Sequence, residues 1–244
     1  MSKSELYSIE MSNISKTYIS GQIKVHAIKN LNLKIDKGDR AVILGPSGSG
    51  KTTLLNVLGG ITTPDKDGGI LTVFGDQIQY NDESKATIYR RERVGFIFQF
   101  FNLFPALNAI DNVIIAIDLL KQKLKKDLDT YKVAKEYLEK VGLGDRLYHF
   151  PSQLSGGEQQ RVAIARALAK IPFIGKKFIL LCDEPTGNLD TETSDKIIDL
   201  MKELNEEIGI TIVLVTHNKR IGKKFATKII QLENGQLKNN NKMI

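Results

Sequence analysis

Three short segments of this 244-residue chain carry side chains suited to chemistry on a nucleoside triphosphate. The first is Gly45-Pro46-Ser47-Gly48-Ser49-Gly50-Lys51-Thr52, which fits the pattern G-x-x-x-x-G-K-[ST]. Its glycines let successive backbone N–H groups turn inward on phosphate oxygens, Lys51 reaches the β- and γ-phosphates, and Thr52 supplies a hydroxyl to magnesium. With Thr53, which follows on the same turn, these residues form the expected ATP-binding set.

The second segment is Phe178-Ile179-Leu180-Leu181-Cys182-Asp183-Glu184. Its apolar run fits a strand buried on both faces, so Asp183 and Glu184 emerge together at the C-terminal end, where open α/β sheets bind ligands. Asp183 is suited to hold a hydrated magnesium ion, and Glu184 to orient and polarise an attacking water. Without the phosphate loop, the same pair would fit a solvated strand terminus equally well.

The third is Leu154-Ser155-Gly156-Gly157-Glu158-Gln159-Gln160. Ser155-x-x-Glu158 fits a capping box, and Val162, Ala165 and Ala169 share one helical face, so the plain reading is a helix start. A capped helix N-terminus with two adjacent glycines also offers N–H groups and dipole to a phosphate. The chain already has one such cradle, so a second finds a use when another copy of the protein approaches.

The surrounding pattern supplies elements to hold these segments. Arg40 to Leu44 reads as a buried strand entering the phosphate loop, and Thr52 to Leu58 as the helix leaving it, with the positive end of its dipole toward the anion. The runs at 41–44, 179–182 and 211–215 are continuous, as parallel buried strands are. Residues 29–35 alternate polar and apolar instead, which predicts a half-exposed antiparallel strand, and Ile70 to Phe74 joins that sheet. Between Gln99 and Ser155 no comparable strand signal occurs. Tyr131, Ala134, Leu138 and Val141 fall on one helical face ending near Gly142, which predicts a helical subdomain. A further helix over Glu192 to Glu206 turns Ile197, Met201 and Leu204 inward and stops at Gly209. Residues 62–69 mark a turn, and Ile171 to Lys177 reads as a surface loop.

Composition sets the bounds. The length suits one large α/β domain without an internal repeat, and 41% hydrophobic content is enough for a sizeable core. No stretch approaches the roughly 20 apolar residues that span a bilayer, since Val113 to Leu120 is interrupted by Asp118. Met1-Ser2-Lys3-Ser4-Glu5 lacks the apolar core of a signal peptide, so a cytoplasmic chain attached to a membrane through a partner is expected. The single cysteine, Cys182, excludes an internal disulfide and reads as a small buried apolar residue. The net charge of +7 includes a cluster of Lys121, Lys123, Lys125 and Lys126, which fits a solvated face or a neighbouring anionic membrane surface. No nucleic-acid recognition motif accompanies the charge, so no nucleic-acid partner is expected. Residues 236–244 read as a disordered tail.

Leu154-Ser155-Gly156-Gly157 followed by Gln159-Gln160-Arg161 resembles the signature motif of ATP-binding cassette (ABC) transporter nucleotide-binding subunits. The resemblance runs from about residue 8 to residue 235, with every family motif in order. It implies an α/β fold: a P-loop NTPase core with a mostly parallel sheet, an N-terminal antiparallel β subdomain (about 1–40 and 68–98) and an inserted α-helical subdomain (about 99–160). Tyr18 matches the aromatic that stacks on adenine, Gln99 the Q-loop glutamine, Asn188-Leu189-Asp190 the D-loop and His217 the switch histidine. Tyr18 also fits an ordinary strand aromatic, and His217 a satisfied residue at a strand end. The family pattern makes Glu184, His217, Gln99 and Lys51 the catalytic set, with Thr52, Gln99 and Asp183 around Mg2+. Ser155, Gly156, Gly157 and Asp190 would serve ATP held by the other copy of a head-to-tail homodimer.

Arg90-Arg91, Val94 to Gln99, Phe101-Asn102-Leu103 and Gly187 to Asp190 look like the MacB- and LolD-type subgroup. The resemblance implies ATP hydrolysis coupled to a separate integral membrane permease, whose short helix docks beside the Q-loop near Phe100 to Phe104. Export, extrusion or force transmission is favoured over import, and selectivity for cargo belongs to the transmembrane subunit. Two other readings stay open: a cell-division regulatory ATPase of the FtsE kind, and a soluble ABC ATPase acting on nucleic acid or ribosomes. Glu158 stands where many relatives carry glutamine, a change the capping geometry tolerates.

Overall fold

The computed structural model describes residues 6–66, 69–124 and 127–238, and for 119 and 121–123 the backbone alone. The side chains of the Lys121, Lys123, Lys125 and Lys126 cluster and the tail from 239 to 244 lie outside the described residues. In chain order the first half runs β1 (Tyr7–Ser20), β2 (Ile23–Asp36), β3 (Arg40–Leu44), α1 (Lys51–Leu58), β4 (Ile70–Val73), β5 (Asp76–Gln77), α2 (Glu83–Arg93), β6 (Val94–Ile97) and α3 (Ala109–Leu124). The second runs α4 (Thr130–Lys140), α5 (Gly156–Leu168), α6 (Ile171–Ile174), β7 (Ile179–Asp183), α7 (Thr191–Ile208), β8 (Thr211–Thr216), α8 (Lys219–Phe225), β9 (Lys228–Glu233) and β10 (Gln236–Leu237).

Among the described residues the strands form two sheets: β2-β1-β4-β5, all antiparallel, and β10-β9-β3-β8-β7-β6, parallel from β9 to β6. The continuous apolar runs of β3, β7 and β8 are explained by burial on both faces. Side chains alternate across a strand, so Val42, Leu180, Cys182, Ile212 and Leu214 face one core with α3 to α5, α7 and α8. Ala41, Ile43, Ile179, Leu181, Val213 and Val215 face the other, shared with α1 and the antiparallel sheet. In β2, Leu31, Leu33 and Ile35 are buried while Asn32 and Lys34 are exposed, as the alternation predicts.

Four local expectations need correction. The tail expected over 236–244 begins as a strand, since β10 pairs antiparallel with β9, Gln236 opposite Glu233 and Leu237 opposite Leu232. Strand β6 pairs in parallel with β7, so 94–97 stands in the parallel sheet and not with the antiparallel strands grouped over 68–98. Tyr131 does not join the buried face of α4; Ala134, Leu138 and Val141 do, while Tyr131 is exposed with its hydroxyl 2.7 Å from that of Tyr148. The segment Ile171 to Lys177 is a surface loop only from Gly175 onward. Its first half is the single turn α6, which buries Ile171 and Phe173 in the core. Pro172 signalled a breaker, yet proline is tolerated in a first helical turn, and Gly175 ends the turn at φ 82°. Phe173 is 1% exposed, so Phe173→Ala is expected to cost about 3–5 kcal/mol of folding free energy. A urea denaturation midpoint indistinguishable from the parent's would contradict that packing.

Candidate functional site

The C-terminal ends of β3, β7 and β8 lie side by side, Leu44 opposite Thr216 and Asp183 opposite Val215. Everything that follows those strands is thereby gathered on one edge. After β3 the chain turns through the phosphate loop into α1, whose N-cap Gly50 sits at φ 100° and offers no side-chain cap. The first turn of a helix leaves N–H groups without intrahelical partners, and here they open at the loop. Gly50 is required twice over: its φ is left-handed, and a Cβ there would lie 2.3 Å from the carbonyl oxygen of Ala27. Lys51 is 8% exposed and arches over its own loop, its Nζ donating to the carbonyls of Gly45 (2.9 Å) and Pro46 (2.8 Å). Ser49 Oγ is buried beneath the loop with no protein partner. A cation, free amides and an orphaned hydroxyl around one turn are a donor set that fits the oxygens of a polyphosphate.

Beside the loop lies a cleft of about 630 Å3 lined by Tyr18, Val25, Gly48, Gly50, Lys51, Thr52 and Thr53 among others. Tyr18 is exposed on the long hairpin of β1 and β2, paired with Val25 in register. Lys16 Nζ lies over its ring, 5.3 Å from the centroid.

At the end of β7, Asp183 Oδ1 accepts from Thr52 Oγ1 at 3.3 Å. Burial raises the Asp183 carboxyl above its ordinary range and the neighbouring Glu184 adds to this, while the Thr52 hydrogen bond and Lys51 pull the other way. A partly desolvated carboxylate next to a hydroxyl is a hard-oxygen pair that fits magnesium. Glu184 takes a left-handed backbone conformation, φ 46°, that is unusual for a residue with a Cβ. Its carboxylate is held from three sides: Thr216 Oγ1 donates to Oε2 at 2.8 Å, the His217 backbone N–H donates to Oε1 at 3.0 Å, and His217 Nδ1 lies 2.7 Å from Oε1. Sequence reasoning found Glu184 and His217 but not Thr216. Its signal was available, a hydroxyl residue ending the apolar run of β8 immediately before the histidine.

Gln99, just past β6, is brought to the D-loop: its Nε2 donates to Asn188 Oδ1 at 3.3 Å and Asn188 Nδ2 donates to its carbonyl at 3.0 Å. Phe101 and Asn102 continue from it with left-handed φ of 43° and 50°. Arg166 on α5 holds that strained stretch by donating to both their carbonyls, at 2.9 and 2.5 Å. Phe100 and Phe104 flank it and are exposed.

Ser155, Gly156 and Gly157 line neither cleft beside the Lys51 loop. Ser155 and Gly157 line a separate cleft of about 400 Å3, bounded by Arg161, Thr193 and Lys196, and Gly156 does not line it. The capping box forms as predicted, with Ser155 Oγ accepting from the Glu158 N–H and Glu158 accepting from the Ser155 N–H. Gly157 has no room for a side chain, since a Cβ would stand 2.5 Å from Thr193 Cγ2. Asp190 caps α7 by accepting from the Thr193 N–H at 3.0 Å, and this bond holds its carboxyl below the ordinary range. The geometry therefore supplies a loop of phosphate-suited donors with the Thr216- and His217-held carboxylate of Glu184 on the same sheet edge, and a second, glycine-lined helix start on a separate cleft.

A family model described as "ABC transporter" matches residues 28–187. An uncharacterized ABC transporter ATP-binding protein of Methanocaldococcus jannaschii is 47% identical, covering 94% of this chain and 97% of that one. The lipoprotein-releasing system ATP-binding protein LolD of Francisella tularensis subsp. holarctica is 43% identical over 92% of this chain and 93% of its own. A second M. jannaschii ATP-binding cassette, MJ0796, has been solved as a dimer in a post-hydrolysis state bound to ADP and Pi. That structure superposes with a TM-score of 0.84 at 40% identity, covering 97% of this chain and 99% of the other.

Proposed function

The chain belongs to the ABC transporter family as an ATP-hydrolysing subunit of the LolD-like group, and from that membership we propose how its residues divide the work. One observation carries the proposal: Lys51, Thr52, Asp183, Glu184 and His217 converge on one sheet edge, while Ser155 and Gly157 open on another cleft. Gly45 to Thr53 cradle the triphosphate, and Tyr18 stacks on the base. Thr52, Asp183 and Gln99 hold Mg2+, which when bound supplies charge neutralisation at the phosphates. Glu184, fixed by Thr216 and His217, orients and polarises water, and Gln99 and His217 respond to the γ-phosphate.

The separate signature cleft is used in trans. Two copies close head to tail, each presenting Ser155, Gly156 and Gly157 to ATP on the other's Lys51 loop, with Asp190 linking the two sites. Hydrolysis removes the charge that held them closed, and reopening moves an integral membrane permease. The described residues contain no helix long and apolar enough to cross a membrane, which accords with a separate spanning subunit. The exposed Phe100 and Phe104, beside the strained Q-loop, are the surface we assign to that subunit. Work of export, extrusion or force transmission, at the cytoplasmic face, is the reading that the likeness to LolD supports.

Two measurements test this reading. Purification of the tagged chain from gently solubilised membranes is expected to bring an integral membrane protein with it; recovery of ribosomes or DNA would overturn the assignment. Turnover is expected to stop when divalent cation is chelated. Turnover that persists after chelation would count against the cation role of Thr52 and Asp183.

A further inference from the structure

Ser155 is asked to meet a phosphate in trans, and a phosphate only accepts hydrogen bonds, so the serine hydroxyl has to donate. That single hydrogen is already committed. Ser155 Oγ donates to Glu158 Oε2 at 2.8 Å, and the same carboxylate oxygen takes the Ser155 N–H at 2.8 Å. The other oxygen, Oε1, faces Arg146 Nε at 3.4 Å, from the short 3-10 turn Gly144–Arg146. The Ser155 N–H and hydroxyl, then Arg146, hold the Glu158 carboxyl below the ordinary range, so it is charged at neutral pH. A glutamine would make the same capping bond without the charge. The carboxylate is therefore surplus to the fold, and it sits in the helix turn that a second anion must approach.

Resting on the trans role of Ser155, we infer that Glu158 and Arg146 form an electrostatic brake on closure of the ATP-bound dimer. Glu158 sequesters the Ser155 hydroxyl and repels the incoming γ-phosphate, and Arg146 limits that repulsion by partnering the carboxylate. Closure requires the hydroxyl to rotate from Glu158 Oε2 to the phosphate, leaving the carboxylate on the Ser155 N–H and Arg146. Glu158 is thus a positioning residue, acting through Ser155 and through charge. The functional consequence is a dimer that closes only at high ATP occupancy and reopens readily once the γ-phosphate is gone.

The test places each change in the hydrolysis-deficient Glu184→Gln chain and measures the ATP concentration for half-maximal dimerisation by light scattering. Glu158→Gln is expected to lower it by about tenfold, the scale of one unit charge removed near an anion in a partly solvated site. Arg146→Ala is expected to raise it, and to have no effect once Glu158→Gln is present. The Glu158→Gln gain should shrink as salt rises from low ionic strength to above 0.15 M, where the screening length is about 8 Å. A purely structural role for the capping box would leave the midpoint insensitive to salt and to Arg146. An unchanged or raised midpoint for Glu158→Gln overturns the inference while leaving the trans reading intact. Absence of any ATP-dependent dimer in the Glu184→Gln parent overturns both.

Discussion

Glu184→Gln is expected to lower ATP turnover by at least about 10²-fold, the usual contribution of a positioned general base. The variant keeps the shape of the site. The amide oxygen still accepts from the His217 N–H, the amide nitrogen turns to the Thr216 oxygen and donates to it where the carboxylate had accepted, and glutamine demands nothing new of a backbone already held at φ 46°. What it loses is the capacity to draw a proton from water. ATP affinity on the Lys51 loop should therefore be little altered while kcat collapses, a split seen by comparing nucleotide titration with steady-state hydrolysis. Turnover within about twofold of the parent would remove Glu184 from the chemistry.

Lys51→Ala is expected to act one step earlier, on binding. In the free chain the ammonium rests on the carbonyls of Gly45 and Pro46, at 2.9 and 2.8 Å, a neutral pairing that a phosphate oxygen outcompetes. A hydrogen bond to a charged group contributes about 1.5–3 kcal/mol, which corresponds to a loss of about 10- to 150-fold in ATP affinity. The effect should be confined to nucleotides with β- and γ-phosphates. AMP, reaching only the mouth of the cleft and Tyr18, should bind the variant as it binds the parent. Equal losses for AMP and ATP would mean that the substitution disrupted the loop and not the phosphate contact.

The parts of this site that were legible in the sequence are those whose causes are local. The phosphate loop is one contiguous turn, the capping box spans one helical turn, and β3, β7 and β8 announce themselves because burial on both faces leaves only apolar residues. Asp183 and Glu184 were found because they end such a run. What was missed depends on contacts between segments distant in the chain. Thr216 matters because β8 runs beside β7, which brings its hydroxyl to Glu184. Asn188 was named as part of the D-loop, but its pairing with Gln99 was not, because it depends on that loop folding against the end of β6. Arg146 matters because its turn lies over the start of α5. The burial of Phe173 was hidden by Pro172 and Gly175, whose usual meaning as breakers was overridden by a single turn that packs inward. The placement of β6 was likewise decided by pairing, since four residues of strand look alike in either sheet.

The role given to Ser155 and Gly157 is the claim on which the rest of the cycle depends, because these residues stand away from the chain's own nucleotide clefts. It is tested most directly by the size of the Glu184→Gln chain, measured by size-exclusion chromatography with light scattering. With ATP and Mg2+ the account predicts a dimer, and with ADP a monomer. A monomer under both conditions would contradict it.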